Sequence, residues 1–305
     1  MSDTPVDGIQ QFSSCQSLPS TCGSAYEDCC RTELVPGTES GSIFYRSYDV
    51  ASDMRFVDAS HPAHISTFTL DKYEVTVGRF RTFISAGMGT QKNPPIPGSG
   101  IHPNLENSGW DNAWNQNLAI DTETFQNKVN CNLGTWTSSP GVNENLPMTC
   151  VSWYEAMAFC IWDGGYLPTE AEWNYAASGG SEQRAYPWSN PANSIDSGCP
   201  YANNSCGGKA IAVGSKSPKG DSRWHHSDLS GNIYEWALDW YMPYPSSPCS
   251  DCAYLMMPSE TFPERVARGG DFSSVFSDVR TAARHGANPD KRYIGIGLRC
   301  ARRAL

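Results

Sequence analysis

Twelve cysteines in 305 residues constrain this chain more than any other feature. The number is even: Cys15, Cys22, Cys29, Cys30, Cys131, Cys150, Cys160, Cys199, Cys206, Cys249, Cys252 and Cys300. Zinc modules repeat CxxC knuckles at fixed spacing. Here the only CxxC is Cys249-Ser250-Asp251-Cys252, with no second pair at finger spacing. The set therefore reads as disulfides made in an oxidising compartment, so the expected location is secreted, periplasmic or cell-envelope. The start, Met1-Ser2-Asp3-Thr4, has no apolar signal core, which implies that a signal was removed. A polar start would also suit a linker from a lipid anchor.

The rest of the composition narrows the fold. Gly 27 and Pro 21 point to a loop-rich architecture rather than a helical bundle. Ten tryptophans can build a sizeable core. A net charge of −10 argues against a nucleic-acid partner. No run of 18 apolar residues exists, so no transmembrane helix is expected.

Residues 1–40 are polar and hold four cysteines, and a Cys-rich extension over 1–42 is expected before a domain over 43–305. Gly41 to Phe56 and His64 to Leu70 read as strands, the latter on its alternation. His61 and His64, with Pro62 between, have poor geometry for one ion and read as surface histidines. Thr76 can cap a helix with Val77, Phe80, Phe83 and Ile84 on one face, ended by Gly87. A long polar insertion fills residues 88–147. Ser152…Glu155 and Thr169…Glu172 are capping boxes opening two further helices. Glu170 and Glu172 read as helix-start acids rather than a catalytic pair. Residues 181–225 look irregular. Asp228-Leu-Ser-Gly231-Asn-Ile233-Tyr-Glu235 has hard-cation character, with two carboxylates around a Gly turn; the other reading is a turn before a strand, with Glu235 in a structural hydrogen bond. Near the C-terminus, Arg268-Gly269-Gly270 and Gly295-Ile296-Gly297 bracket a polar segment carrying Arg280, Arg284 and Arg292. It reads either as a fixed binding surface or as an Arg-rich loop tied to nearby carboxylates.

Taken together, DKYEVT (71–76), VSWYEAMAFCIWDGGYLPTEAEWNYAASGG (151–180), YPW (186–188), DLSGNIYEW (228–236), RGGDF (268–272) and GIGLRC (295–300) resemble the formylglycine-generating enzyme (sulfatase-modifying factor) domain. The motifs occur in family order over about residues 43–305. The resemblance implies an α+β, C-type-lectin-like domain, low in regular structure, disulfide-rich and extracytoplasmic. It maps a structural calcium site onto the side chains of Asp228 and Glu235 and the carbonyls of Gly231 and Ile233. It also implies a Cys160–Cys300 disulfide, worth roughly 4 kcal/mol in the chain-entropy model. Proximity alone pairs Cys131 with Cys150, Cys199 with Cys206 and Cys249 with Cys252. The connectivity of Cys15, Cys22, Cys29 and Cys30 stays open.

The chemistry departs from the family pattern. The family enzymes hold Cu(I) with two cysteines placed after RGG, and a hydroxyl does not replace a soft thiolate there. Ser274 stands at the first of these positions, and the second falls in a shortened stretch. The family Asn before the terminal motif is Gly295, and Tyr234 replaces the usual Trp. A calcium-stabilised binding or scaffold role follows, without Cu(I). The ligand face would be Tyr234, Asp271, Ser273, Ser274, Asp278, Arg280, Arg284 and His285, suited to a polar small molecule, peptide or glycan, and the chain a monomer. The other reading is an oxidoreductase for a peptide or small metabolite. It would use His285, Asp271 and Asp278 on a metal, or Ser274 as nucleophile with His285 as base.

Overall fold

A computed structural model describes residues 12–304, apart from 17, 20, 52–54, 196–197, 246–247 and 262. The polar start, residues 1–11, therefore lies outside the described residues, as do residues 52–54 near the end of the Gly41 to Phe56 segment. Among the described residues, three small sheets and four short α-helices carry the fold, and most of the rest is irregular. The expected α+β class, low in regular structure, is what is found.

The first sheet ties the chain ends together. β1 (Thr32–Val35) and β10 (Ala301–Arg303) both pair antiparallel with β4 (Phe68–Asp71), which lies between them. A second sheet joins β2 (Phe44–Tyr45), β3 (Pro62–His64) and β6 (Cys249–Ser250). The third has the order β8-β7-β5-β9: β8 is His285–Ala287, β7 Arg265–Arg268, β5 Tyr234–Trp240 and β9 Ile296–Gly297. Two sequence expectations need correction. Among the described residues of Gly41 to Phe56, only Phe44–Tyr45 forms a strand, and His64 to Leu70 is interrupted between β3 and β4. The residues between them serve as side-chain partners instead: Ser66 donates its N–H and its hydroxyl to the buried Asp251 carboxylate at 2.7 Å each.

The helix boundaries follow from local chemistry. α1 (Val77–Ser85) starts where Thr76 accepts from the Arg79 N–H and stops before Gly87, at φ 72°. α3 (Trp153–Trp162) and α4 (Glu170–Ser178) each open on a complete capping box, from Ser152 and Thr169. Gly179 closes α4 in the left-handed region at φ 68°. The 88–147 insertion is not featureless. It carries α2 (Thr122–Val129), capped by Asp121, whose Phe125 joins the core. That core packs Phe80, Phe83, Phe125 and Phe159 against one another and continues through Trp153 and Trp236.

The cysteines form six pairs: Cys15–Cys30, Cys22–Cys29, Cys131–Cys150, Cys160–Cys300, Cys199–Cys206 and Cys249–Cys252. Cys160–Cys300 fastens α3 to the end of the chain across 140 residues. Among the described residues no helix is long and apolar enough to cross a membrane.

Candidate functional site

The two glycine-marked brackets are real turns or close approaches. Gly269 and Gly270 have φ of 97° and 75°. A Cβ on Gly297 would stand 2.1 Å from the Met148 carbonyl oxygen. These fixed points present the segment 271–278 beside β5 and β8. There the Asp271 carboxylate accepts from the Ser273 N–H at 3.0 Å and hydroxyl at 2.8 Å, and from the Ser274 hydroxyl at 2.9 Å. The Ser274 hydroxyl in turn accepts from the Asp271 N–H at 2.9 Å and lies 3.4 Å from the Tyr234 hydroxyl. The Tyr234 and His285 rings pack against each other at a tilt of 32°, with centroids 4.9 Å apart. Burial and then the nearby carboxylates of Asp271 and Asp278 push the Tyr234 phenol up, so it stays neutral. Ser273, Asp278 and His285 are exposed, together with Val275 and Phe276.

Two sequence expectations do not assemble. No hydrogen bond joins Ser274 to His285 among the described residues, because Asp271 and Tyr234 take the hydroxyl instead. Arg280 and Arg284 do not face the ligand surface freely. Arg280 is buried on Asp49, with Nε donating at 2.9 Å. Arg284 grips both oxygens of Glu170 at 2.7 Å each, and Arg292 pairs with Glu155. The Arg-rich segment is thus largely tied down by carboxylates, and its open part is Tyr234, Asp271, Ser273, Asp278 and His285. Gly295 has a role here too. A Cβ on it would stand 2.2 Å from the Asp271 Oδ2, so the missing side chain leaves room for that carboxylate.

Glu172 behaves as a capping acid, accepting from the Thr169 N–H at 2.8 Å. Glu170 does not: its carboxylate is the shared anchor of Arg268 and Arg284, which hold it below the ordinary carboxylate range against burial. Spacing alone could not show this, since both partners come from more than 90 residues away.

The candidate metal residues sit under the turn before β5. Asp228 is buried with φ 61°, and burial pushes its carboxyl up to about 6. Glu235 is buried, receives both ends of the Arg299 guanidinium at 2.6 and 2.7 Å, and accepts from Trp173 Nε1 at 2.7 Å. Sequence reading missed a third carboxylate. Glu74, inside the DKYEVT motif, is fully buried and accepts from the Ile233 N–H at 3.3 Å and from Asn232 Nδ2 at 2.6 Å. Burial first, then the charges of Asp228 and Glu235, hold Glu74 well above its ordinary range. Three buried carboxylates thus share one arginine. The charge excess is of the sign a divalent cation would offset, but the three carboxylates do not converge as one close ligand set, and Arg299 already holds the Glu235 oxygens.

Comparison with known proteins gives this geometry its context. The model of the sulfatase-modifying factor enzyme 1-like domain matches residues 31–304. The formylglycine-generating enzyme of Streptomyces coelicolor is 29% identical over 269 residues, covering 79% of this chain and 80% of that protein. The inactive C-alpha-formylglycine-generating enzyme 2 of mouse is 31% identical over 180 residues, covering 53% of this chain and 51% of its own length. Among solved structures, PvdO from Pseudomonas aeruginosa is similar in fold, with a TM-score of 0.61 and 21% identity over 94% of this chain and 99% of that one. The motifs, the fold and the near full-length match agree, and the chain belongs to the sulfatase-modifying factor enzyme 1-like domain family.

Proposed function

We propose that this chain is a non-catalytic binding or scaffold protein of the secreted, periplasmic or cell-envelope space, stabilised by calcium. The observation that carries the reading is the state of the thiols: all twelve cysteines are paired, and none is free. Cu(I) chemistry of the family kind needs soft thiolates, and Ser274 offers a hydroxyl already engaged by Asp271 and Tyr234. What remains open to solvent is a face of Asp271, Ser273, Asp278 and His285 beside the Tyr234 ring, with Val275 and Phe276 exposed in the same segment, and we read it as suited to a polar small molecule, peptide or glycan. Calcium would be held by Asp228 and by the Gly231 and Ile233 carbonyls, with Glu74 nearby and Glu235 shared with Arg299. Its charge would offset the buried carboxylates that burial otherwise drives toward protonation. Six disulfides support an oxidising compartment, and we read the chain as a monomer.

Elemental analysis of the chelator-washed, reloaded protein tests this. About one calcium per chain should return, and thermal unfolding should move up with calcium concentration. Stoichiometric copper or iron would overturn the reading. It would favour an oxidoreductase on a peptide or small metabolite, and Asp271 and His285 would be the first ligands to replace.

A further inference from the structure

Cys249–Cys252 closes the shortest loop of the six disulfides, with a sequence separation of 3 against 7 to 140 for the others. A bridge across so short a loop removes the least entropy from the unfolded chain, so stability is a weak reason for it. Both cysteines are half-buried. Cys252 lines a small cavity of about 60 Å³ together with Arg46, Glu170, Asp239 and Arg284. Asp239, near the end of β5, is locked beside the CxxC segment. Its Oδ1 accepts from the N–H of Tyr254, two residues past Cys252, at 2.8 Å, and its Oδ2 accepts from the Glu170 N–H at 2.7 Å. The Trp240 N–H donates to the Tyr254 carbonyl at 2.9 Å, stitching the same two segments. Arg46 is buried, lies 4.6 Å over the Tyr244 ring, and donates to the carbonyls of His61 and Pro245. No carboxylate lies within ion-pair distance of it among the described residues. The cavity beside Cys252 therefore holds a cation without a carboxylate partner and a fixed, buried carboxyl group.

We propose that Cys249–Cys252 is a thiol–disulfide exchange site whose substrate is an exposed dithiol, with Arg46 and Asp239 serving the Cys252 sulfur. A thiolate of the dithiol attacks the Cys249 sulfur, the S–S bond breaks, and Cys252 leaves as a thiolate. Arg46 stabilises that charge, and the Asp239 carboxyl supplies the proton, to be restored from solvent. The second thiolate of the dithiol then attacks its own sulfur in the mixed disulfide and releases Cys249, which takes a proton from water. The dithiol loses two electrons and becomes a disulfide, and the chain gains two electrons and two protons. Burial, then the Glu170 charge, push Asp239 up to about 7, so it can give and take a proton near neutrality. Glu170 faces it from α4, Arg265 from β7, and Arg46, Arg284 and His102 from irregular segments.

The test uses the full oxidised chain with graded dithiothreitol, alkylation and peptide mass spectrometry. Cys249 and Cys252 should be labelled together while Cys160 and Cys300 stay paired and the chain stays folded. Asp239→Asn should slow the exchange about 100-fold and remove an inflection near pH 7 from the rate profile. Selective reduction with an unchanged rate and profile in Asp239→Asn means that access alone governs the bridge, and the proposal fails. It fails equally if Cys249–Cys252 survives until unfolding. Should Asp239→Asn not fold, the native chain decides the matter with two dithiols of different thiol acidity. An inflection that stays near pH 7 supports the site, and one that follows the dithiol overturns it.

Discussion

Two polar regions of this molecule are built on opposite plans. Beneath the surface, arginines and carboxylates from distant parts of the chain form a buried frame. Arg299 holds Glu235 and donates to the carbonyls of Asp71, Lys72 and Ser227. Arg79 bridges Asp71 and Asp163 at 2.9 and 2.7 Å, and Arg302 reaches the same two carboxylates. On the surface, the 271–278 segment combines short-range side-chain contacts among Asp271, Ser273 and Ser274 with backbone anchors to Asn232 and Ser205, and among the described residues no arginine–carboxylate pair holds residues 271–274. The frame consumes the most recognisable motifs: DKYEVT supplies Asp71 and Glu74, LPTEAEW supplies Glu170 and Trp173, and GIGLRC supplies Arg299. The face proposed to meet a ligand draws on other residues, so a fold of this kind could keep its frame and carry a different chemistry on its surface.

Breaking the frame should have the largest effect. Arg299→Leu leaves Glu235 buried without its cation, beside Glu74 and Asp228. A loss of about 3–5 kcal/mol in urea unfolding is expected. A loss below 1 kcal/mol would mean that the frame is no more structural than the face. Removing the Cys160–Cys300 bridge by paired Cys→Ser substitution should cost ~2–5 kcal/mol. It should also lower the unfolding midpoint more than removal of Cys249–Cys252, whose loop is far shorter. Equal losses would show that loop closure is not what these bridges contribute.

The same division explains what the sequence disclosed. Capping boxes at Ser152 and Thr169, the Gly179 stop and the turn at Gly269-Gly270 are local, so their residues state the geometry directly. The α2 helix was hidden because the helix itself gives only Phe125 and Val129 to the core, too few for a periodic signal. Partners across the frame were hidden for another reason. Asp49 with Arg280 and Glu170 with Arg284 are 231 and 114 residues apart, and nothing in spacing joins them. Glu74 lay in plain view inside a motif, but its burial beside Asp228 and Glu235 is a tertiary fact. The Ser274 and His285 pairing failed similarly: eleven positions of irregular chain do not fix which neighbour a hydroxyl will take.

A smaller effect probes the face itself. Gly295→Asn would drive a Cβ into the Asp271 carboxylate, which must then leave Ser273 and Ser274. A loss of ~1–3 kcal/mol is expected from this overpacking. Asp271→Ala removes the obstacle, so the double variant should recover most of the loss. A double-mutant cycle reads this coupling directly. Simple additivity would mean that Gly295 and Asp271 are independent, and that the face does not pack as a unit.

Ser274→Ala should have the smallest effect of all, near 0.5–1.5 kcal/mol. Its hydroxyl donates to Asp271 and accepts from the Asp271 N–H, and both partners are half-exposed and can turn to water. Any ligand that the face binds should lose little affinity through this change, and more through His285→Ala or Tyr234→Ala, since those rings form its exposed wall. A comparison of ligand affinity with urea stability for the three variants separates the roles. If Ser274→Ala instead abolished a measurable turnover and left stability intact, the hydroxyl would be a nucleophile after all. The contrast between a structural frame and a non-catalytic face would then be wrong at its centre.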